Sequence, residues 1–163
     1  MILIALGSNL PGPWGTPRQT LLRALKEMPH HNIRVRSVSH LLETEPFGVT
    51  NQPSFVNAVA RVESALAPET LMRALHMIER KAGRARRKRW GPRTLDLDLI
   101  DYHGLVRKPA LTSIKPLALP HPGINERTFV LEPLVEIAPR WRHPVSRELA
   151  WVTLRKLYRL KRG

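Results

Sequence analysis

Residues 94–100, Thr94-Leu95-Asp96-Leu97-Asp98-Leu99-Ile100, alternate apolar and acidic side chains. Successive side chains of a β-strand point to opposite faces, so this alternation predicts three leucines in a core and two carboxylates together on the other face. Their Cα atoms would then lie roughly 6.6 Å apart. Magnesium fits such a pair, because it is typically held by one or two carboxylates plus substrate phosphates. An amphipathic strand with two solvated acids has the same pattern, so the spacing alone leaves both interpretations open.

The stretch before this strand is the most basic in the chain. Eight of the fourteen residues 80–93 are Lys or Arg. Arginine grips phosphate in a bidentate fork, and cations beside a carboxylate-bound metal offset phosphate charge, so the combination favours a polyphosphate site. Gly83, Gly91 and Pro92 predict a loop here, which can close over a substrate. A solvated charge run or a nucleic-acid patch would have the same composition.

Length and composition predict one globular domain spanning residues 1–163. The chain is 42% hydrophobic, contains no cysteine and carries a formal net charge of +14. The absence of cysteine excludes disulfides and thiolate metal sites and fits a reducing cytoplasm. No apolar run approaches the length of a membrane span, and residues 1–7 are typical of a buried first strand rather than of a signal peptide. The high charge predicts attraction to anions of an unspecified class.

Hydrophobic periodicity predicts alternating strands and helices. The expected elements, in chain order, are a strand at 1–7 with a turn at Gly7-Ser8-Asn9, a helix at 17–28 capped by Thr16, strands at 32–43 and 55–66, a helix from 67, and the strand of Asp96 and Asp98. This is the βαββαβ order of an α+β, ferredoxin-like antiparallel sheet with helices packed on it. A short helix near 125–131 and a basic C-terminal helix at about 146–163 are expected to belong to the same domain.

Five collinear segments spanning residues 1 to about 140 carry a resemblance to a known family. They are Ala5-Leu6-Gly7-Ser8-Asn9-Leu10, Glu43-Thr44-Glu45-Pro46-Phe47-Gly48, Gln52-Pro53-Ser54-Phe55-Val56-Asn57, Arg89-Trp90-Gly91-Pro92-Arg93-Thr94-Leu95-Asp96-Leu97-Asp98 and Leu119-Pro120-His121-Pro122. Together they resemble the 6-hydroxymethyl-7,8-dihydropterin pyrophosphokinases of folate biosynthesis. The fourth segment is the most specific.

The resemblance implies a magnesium-dependent reaction. The β,γ-pyrophosphoryl group of ATP would pass to the hydroxymethyl oxygen of a reduced pterin, releasing AMP. Asp96 and Asp98 would hold two magnesium ions that bridge the triphosphate, and Arg84 and Arg86 would complete the catalytic set from the basic loop. Metal ions and arginines act in such reactions by positioning the phosphates and stabilising charge.

The resemblance also assigns the two substrate sites. The residues implied for ATP are His76, Glu79, Arg86, Trp90, Arg93, Leu99, His121 and Arg127. Those implied for the pterin are Thr44, Glu45, Phe47, Phe55, Asn57, Trp90, Asp96 and Phe129. Phe55 stands where the family has Tyr and His76 where it has Gln. Independently, the prolines on both sides of His121 indicate a rigid turn that would fix its direction, so His121 and Arg127 can add donors to a phosphate site.

Two other functions fit parts of the sequence. A ferredoxin-like module that binds RNA or DNA would explain the charge and the basic tail, but the chain lacks the exposed aromatic motif of such modules and the paired acids would oppose a polyanion. A nucleotidyl- or glycosyltransferase would share the D-x-D metal site but use another acceptor. The expected partners are ATP and the pterin, for a monomeric cytoplasmic enzyme. Neither a membrane nor a nucleic acid is expected, although a weak secondary contact with nucleic acid stays open.

Overall fold

The computed structural model describes residues 1–44, 54–83, 94–109 and 117–163. Within these ranges there are five strands, β1 (Ile2–Ser8), β2 (Arg34–Val38), β3 (Leu42–Thr44), β4 (Phe55–Glu63) and β5 (Asp96–Tyr102). The α-helices are α1 (Pro17–Glu27), α2 (Pro68–Lys81), α3 (Thr128–Ile137) and α4 (Ala150–Arg162). Short 3₁₀ turns lie at Met28–His31 and Ile124–Glu126. No helix in the described part of the chain combines the length and apolar composition needed to cross a bilayer.

The strands form one antiparallel sheet in the order β2-β4-β1-β5, and β3 also pairs with β4. Helix α1 connects β1 to β2, and α2 connects β4 to β5. The predicted α+β class and the antiparallel sheet are therefore confirmed. In this order the first strand, β1, lies in the interior of the sheet between the last two strands, β4 and β5.

The single strand expected at 32–43 is divided into β2 and β3, both on the same edge of β4. The interruption lies at Ser39, whose backbone N–H donates to Val59 O (3.0 Å) while its Oγ accepts the Val59 N–H (3.0 Å). The hydroxyl thus takes over one hydrogen bond of the strand ladder, so the chain can bend away and return as β3 without leaving the Val59 amide unpaired.

Two apolar cores lie on opposite faces of the sheet. The first, under α1 and α2, contains Leu21, Ala24, Leu71, Leu75 and Ile78 together with Ile4, Leu6, Leu95, Leu97 and Leu99 of the sheet. The second, under α3 and α4, contains Val130, Leu131, Leu134 and Ala150 together with Leu3, Ala5, Val59 and Ile100. The additional C-terminal helices therefore cover the face that α1 and α2 leave open.

Several predicted boundaries are wrong by a few residues. Strand β1 continues through Ser8 instead of turning at Gly7, β4 ends before Leu66, and α1 gives way to a 3₁₀ turn at Met28. The predicted Thr16 cap is confirmed, since Gln19 N–H donates to its Oγ1 at 3.2 Å.

The two C-terminal helices differ more from the prediction. Helix α3 continues through Pro133 to Ile137, because burial of Val130, Leu131 and Leu134 offsets the one lost amide donor. Helix α4 begins at Ala150 rather than near Ser146. Before it, Arg147 adopts a left-handed conformation (φ 64°) and Leu149 bridges to Arg142, so this segment is a turn.

Candidate active site

The paired acids of β5 lie where the alternation predicts. Leu95, Leu97 and Leu99 are 0–2% exposed in the first core, whereas the side chain of Asp98 is 28% exposed and Asp96 is partly buried. Both carboxylates therefore emerge from the opposite face of the sheet, on the side of α3. The strand anchors them by burying Leu97 between them and Leu95 and Leu99 on either side.

The strand register places Asn57 and Asp96 on either side of Gly7. Gly7 pairs with Asn57 of β4 and with Asp96 of β5, and Ala5 pairs in the same way with Val59 and Asp98. Two strand spacings separate Asn57 from Asp96, about 9.6 Å between Cα atoms. Asn57 is only 7% exposed, and its amide forms no hydrogen bond with the part of the chain described here. A buried amide of this kind offers a donor and an acceptor to a ligand above the sheet.

Gly7 forms the floor between these two polar side chains. A Cβ added at Gly7 would lie 2.9 Å from Asn57 Oδ1, closer than real Cβ contacts allow. The lack of a side chain therefore lets the Asn57 amide lie over the central strand. Sequence reasoning interpreted this glycine as part of a turn, because a glycine needed for close approach has the same local signature as a turn glycine.

Two cationic or donor groups approach Asp98 from the loop before α3. Arg127 Nη1 lies 3.6 Å from Asp98 Oδ2, and His121 Nε2 lies 4.0 Å from Asp98 Oδ1. The His121 backbone N–H donates to Ile100 O (3.0 Å), which holds the histidine beside β5. His121 and Arg127, predicted together from the sequence, are thus brought to one carboxylate of the D-x-D pair.

The structure also defines the state of His121. The Gly123 N–H donates to His121 Nδ1 (3.1 Å), so Nδ1 is the acceptor and the ring hydrogen lies on Nε2, the atom facing Asp98. Burial, and next the positive charge of Arg127, lower the pKa of His121 to about 4, although Asp96 opposes the shift. Near neutral pH His121 is therefore an uncharged N–H donor aimed at the site.

The aromatic residues assigned to the pterin lie at the same end of the sheet. Phe55 begins β4 on the face of Asn57 and pairs with Thr44 at the end of β3. Phe129 is 36% exposed in the first turn of α3, and the Arg127 guanidinium carbon lies 6.0 Å from its ring centroid. An aromatic side chain left this exposed beside a polar site can stack on a flat ligand.

The α2 residues assigned to ATP occupy different surroundings. Glu79 is 2% exposed, and its Oε2 accepts the Leu97 N–H at 2.9 Å. Since Leu97 lies between Asp96 and Asp98, this carboxylate supports the strand that carries them. Its assignment to ATP stays a prediction. His76 is partly buried on α2. Leu99 is 2% exposed with its side chain in the first core, so only its backbone can face a ligand.

The carboxylates of Asp96 and Asp98 fit a magnesium ion whose coordination shell is completed by substrate. No group of three or more His, Cys, Asp or Glu side chains able to hold a metal occurs among residues 1–44, 54–83, 94–109 and 117–163. A pair of partly exposed carboxylates without further protein ligands is what Mg²⁺ binds together with phosphate oxygens and water. Zinc, which prefers three or four nitrogen and sulfur ligands, fits poorly.

Six of the assigned residues lie outside the described ranges: Glu45, Phe47, Arg84, Arg86, Trp90 and Arg93. Their assignments stay predictions. The remaining ones, apart from His76 and Glu79 on α2 and the buried Leu99 side chain, converge on one end of the sheet between β3 and the start of α3.

Comparison with known proteins agrees with this geometry. Residues 3–139 match the family model for 7,8-dihydro-6-hydroxymethylpterin-pyrophosphokinase. The chain is 42% identical over 148 residues to the 2-amino-4-hydroxy-6-hydroxymethyldihydropteridine pyrophosphokinase of Pseudomonas aeruginosa, covering 91% of this chain and 86% of that protein. It is 41% identical over 137 residues to the enzyme of the same name from Haemophilus influenzae, covering 83% of this chain and 79% of that one.

A solved structure supports the fold independently. The crystal structure of an HPPK-DHPS in complex with substrates superposes with a TM-score of 0.71 over 98% of this chain and 44% of that chain, at 14% identity. At that identity the likeness concerns the fold alone. Taken with the match over residues 3–139, it leaves one conclusion: the chain belongs to the 7,8-dihydro-6-hydroxymethylpterin-pyrophosphokinase family.

Proposed function

We propose that the end of the sheet around Asp96 and Asp98 is where this pyrophosphokinase transfers the β,γ-pyrophosphoryl group of ATP to the hydroxymethyl group of 6-hydroxymethyl-7,8-dihydropterin, releasing AMP. Family membership makes the chain a pyrophosphokinase of folate synthesis. The observation that carries the placement is the row Asn57, Gly7, Asp96 across three strands, with Arg127 and His121 beside Asp98.

The order of groups along this floor matches the order of the reacting partners. Asn57 and Phe55 lie on one side, suited to a flat heteroaromatic ring. Arg127 and His121 lie beyond the acidic pair, suited to phosphate oxygens. A hydroxyl attached to a ring held by Asn57 would therefore point over Asp96 toward a phosphate held at Asp98. Positioning the two reactants in line is a large part of catalysis in phosphoryl transfer.

The acidic pair is proposed to hold Mg²⁺, two ions in the complex with ATP. Bound there, the metal supplies charge neutralisation for the triphosphate and polarises the reacting phosphoryl group. Asp96 and Asp98 provide the ligands, and the buried leucines beside them together with the Glu79–Leu97 hydrogen bond keep both carboxylates on one face.

The phosphate oxygens are proposed to be held by Arg127 and by the Nε2–H of His121. A neutral histidine contributes a directed hydrogen bond, while Arg127 contributes charge. Arg84, Arg86 and Arg93 of the basic stretch are proposed to contact the same phosphates, with Arg84 and Arg86 stabilising charge that develops in transfer. His76 and the backbone of Leu99 are proposed on the nucleotide side, as is Trp90.

The pterin is proposed to lie between Phe55 and Phe129, with the Asn57 amide hydrogen bonding to its polar edge. Thr44, Glu45 and Phe47 would border the ring and Trp90 would cover it. The similarity to bacterial pyrophosphokinases supports a cytoplasmic location, where ATP is available. We propose that the enzyme acts as a monomer, which sedimentation velocity at micromolar concentration would test.

The decisive experiment is incubation of the protein with ATP, Mg²⁺ and 6-hydroxymethyl-7,8-dihydropterin, followed by chromatographic separation of nucleotides. We expect AMP and the pterin diphosphate in equal amounts, dependent on the divalent cation. Formation of ADP would instead indicate ordinary kinase chemistry. Consumption of ATP without the pterin, or activity that persists in excess EDTA, would contradict the proposal.

A further inference from the structure

The C-terminal helix α4 carries positive charge only. Residues 150–162 contain five Lys or Arg and no acid, and residues 140–163 contain eight Lys or Arg and one acid, Glu148. The family model ends at residue 139, so the model itself does not include this segment. In the sequence it is also distinct from the basic stretch 80–93, whose arginines are proposed to contact the phosphates of ATP.

Packing determines which face of α4 is presented outward. Ala150 is 1% exposed in the second core, and Leu154 and Leu157 pack against that core from the same side of the helix. At 100° per residue, Arg155, Arg159 and Arg162 lie on the opposite side, within a sector of about 60°. All three are exposed. The helix is thus attached by its apolar stripe and carries an arginine stripe on its outer face.

The other cations of α4 are engaged, whereas this stripe is not. Lys156 pairs with Glu148 (2.6 Å), and Lys161 Nζ lies 3.4 Å from Thr128 Oγ1. The guanidinium groups of Arg155, Arg159 and Arg162 make no hydrogen bond or ion pair anywhere in the described ranges. Three uncompensated charges on successive turns repel one another, and an anionic partner would relieve that repulsion.

An exposed aromatic side chain extends the stripe. Trp151 is 45% exposed and lies one turn before Arg155, about 40° from it around the helix. Arginines with an adjacent exposed aromatic ring are the combination that binds a phosphate backbone and stacks on an unpaired base. A duplex would use only the charges, because its base faces are hidden.

We propose that the outer face of α4, formed by Trp151, Arg155, Arg159 and Arg162 and called here the arginine stripe, binds single-stranded nucleic acid. A lipid surface fits less well, since an interfacial helix inserts a continuous apolar face and α4 has already packed its own against the second core. The exposed apolar residues that remain, Trp151 and Leu160, lie about 180° apart around the helix. This revises the expectation that nucleic acid is not a partner.

The test is fluorescence anisotropy with a labelled 20-nucleotide oligouridylate at several KCl concentrations. The variant is R155Q/R159Q/R162Q, and the matched control R18Q/R34Q/R73Q removes the same charge from exposed arginines elsewhere. We expect the control to bind like the unsubstituted protein. Loss of three phosphate contacts should reduce the slope of log affinity against log salt by about 2, at roughly 0.7 per single-strand contact. If both variants lose the same affinity, binding depends only on the net charge of the protein and not on α4, which would overturn the proposal.

A second variant separates stacking from charge. W151L keeps apolar bulk but removes the ring, and it should weaken binding about fivefold or more while leaving the salt slope unchanged. Unchanged affinity in W151L, equal binding of a duplex, or preferential binding of anionic phosphatidylserine vesicles would each overturn the single-strand assignment.

Competition distinguishes this surface from the active site. Excess ATP with Mg²⁺ should leave oligonucleotide binding unchanged, and all variants should retain the AMP-forming activity. Displacement by ATP would show that the oligonucleotide occupies the active site instead, which contradicts the proposal without affecting the proposed enzymatic function.

Discussion

The two faces of the sheet differ in how far their apolar cores extend. Under α1 and α2, the residues of β4 that face inward, Val56, Ala58, Ala60 and Val62, are all buried and apolar. On the other face α3 and α4 cover Leu3, Ala5, Val59 and Ile100, while Asn57, Asp96 and Asp98 lie outside that core. One face supplies stability throughout its length, whereas the other is divided between a core and a site.

The three acids of β5 show what this division means for single residues. Asp101 faces the second core because a bulge shifts the register between Leu3 and Ile4. It is 4% exposed, and its carboxylate accepts hydrogen bonds from Trp141 Nε1–H (2.8 Å) and Gly104 N–H (2.9 Å). Asp101 is therefore structural. Asp96 and Asp98 lie on the same strand outside the second core, and their partial exposure makes them available for chemistry.

The largest effect on activity is expected at Asp98 of β5. Asp98→Asn should reduce the rate of AMP formation about a thousandfold, because the substitution removes a proposed metal ligand and, with it, several kcal/mol of charge stabilisation. The free energy of unfolding should change by less than about 1 kcal/mol, since Asp98 is partly exposed and its ion pair with Arg127 is screened. Steady-state kinetics and urea denaturation measure the two quantities. Retained activity at normal magnesium would contradict the metal role.

The opposite result is expected one residue away from Asp98, at Leu97 on the face covered by α1 and α2. Leu97→Ala should lower the free energy of unfolding by about 2–5 kcal/mol, because it creates a cavity in the first core. The rate per folded molecule should fall less than tenfold. If Leu97→Ala instead lost as much activity as Asp98→Asn and kept its stability, this would contradict the assignment of stability to one face and chemistry to the other.

A smaller effect is expected at the rim of the site. Phe129→Ala should weaken pterin binding about tenfold through loss of stacking, and the dissociation constant for ATP should stay within about twofold. Isothermal titration of each ligand checks this, with Phe129→Leu as a variant that retains part of the apolar contact. Parallel loss of both affinities would point to a disturbed α3 rather than to a pterin contact.

The smallest effect is expected at Gly7, the floor between Asn57 and Asp96. Gly7→Ala should raise KM for the pterin several-fold, because the new methyl group displaces the Asn57 amide and a hydrogen bond worth about 1 kcal/mol is weakened. In an Asn57→Ala background the same change should have little further effect, which a double-mutant cycle measures. Additive effects would show that Gly7 acts independently of Asn57.

Local pattern accounts for the features that were predicted correctly. The alternation in 94–100 identified which side chains of β5 are buried, and Thr16 followed by Pro17 identified the start of α1. Both depend on the geometry of a few consecutive residues. The boundaries of β3 and α3 were missed, because Ser39 bonds to the distant Val59 and because Pro133 lies in a helix whose apolar side is buried in the second core. The start of α4 was missed because Arg147 adopts a left-handed conformation in a turn held by His143 and Arg142.

By itself, the sequence determined the family, the acidic pair and the fact that both acids lie on the same face of their strand, because motif order and strand periodicity are carried by neighbouring residues. Only the tertiary structure decided that Gly7 lies between Asn57 and Asp96, that His121 presents Nε2–H to Asp98, and that α4 turns its arginines outward. Those relations depend on strand register and helix packing, which join residues far apart in the chain and leave no periodic signal in it.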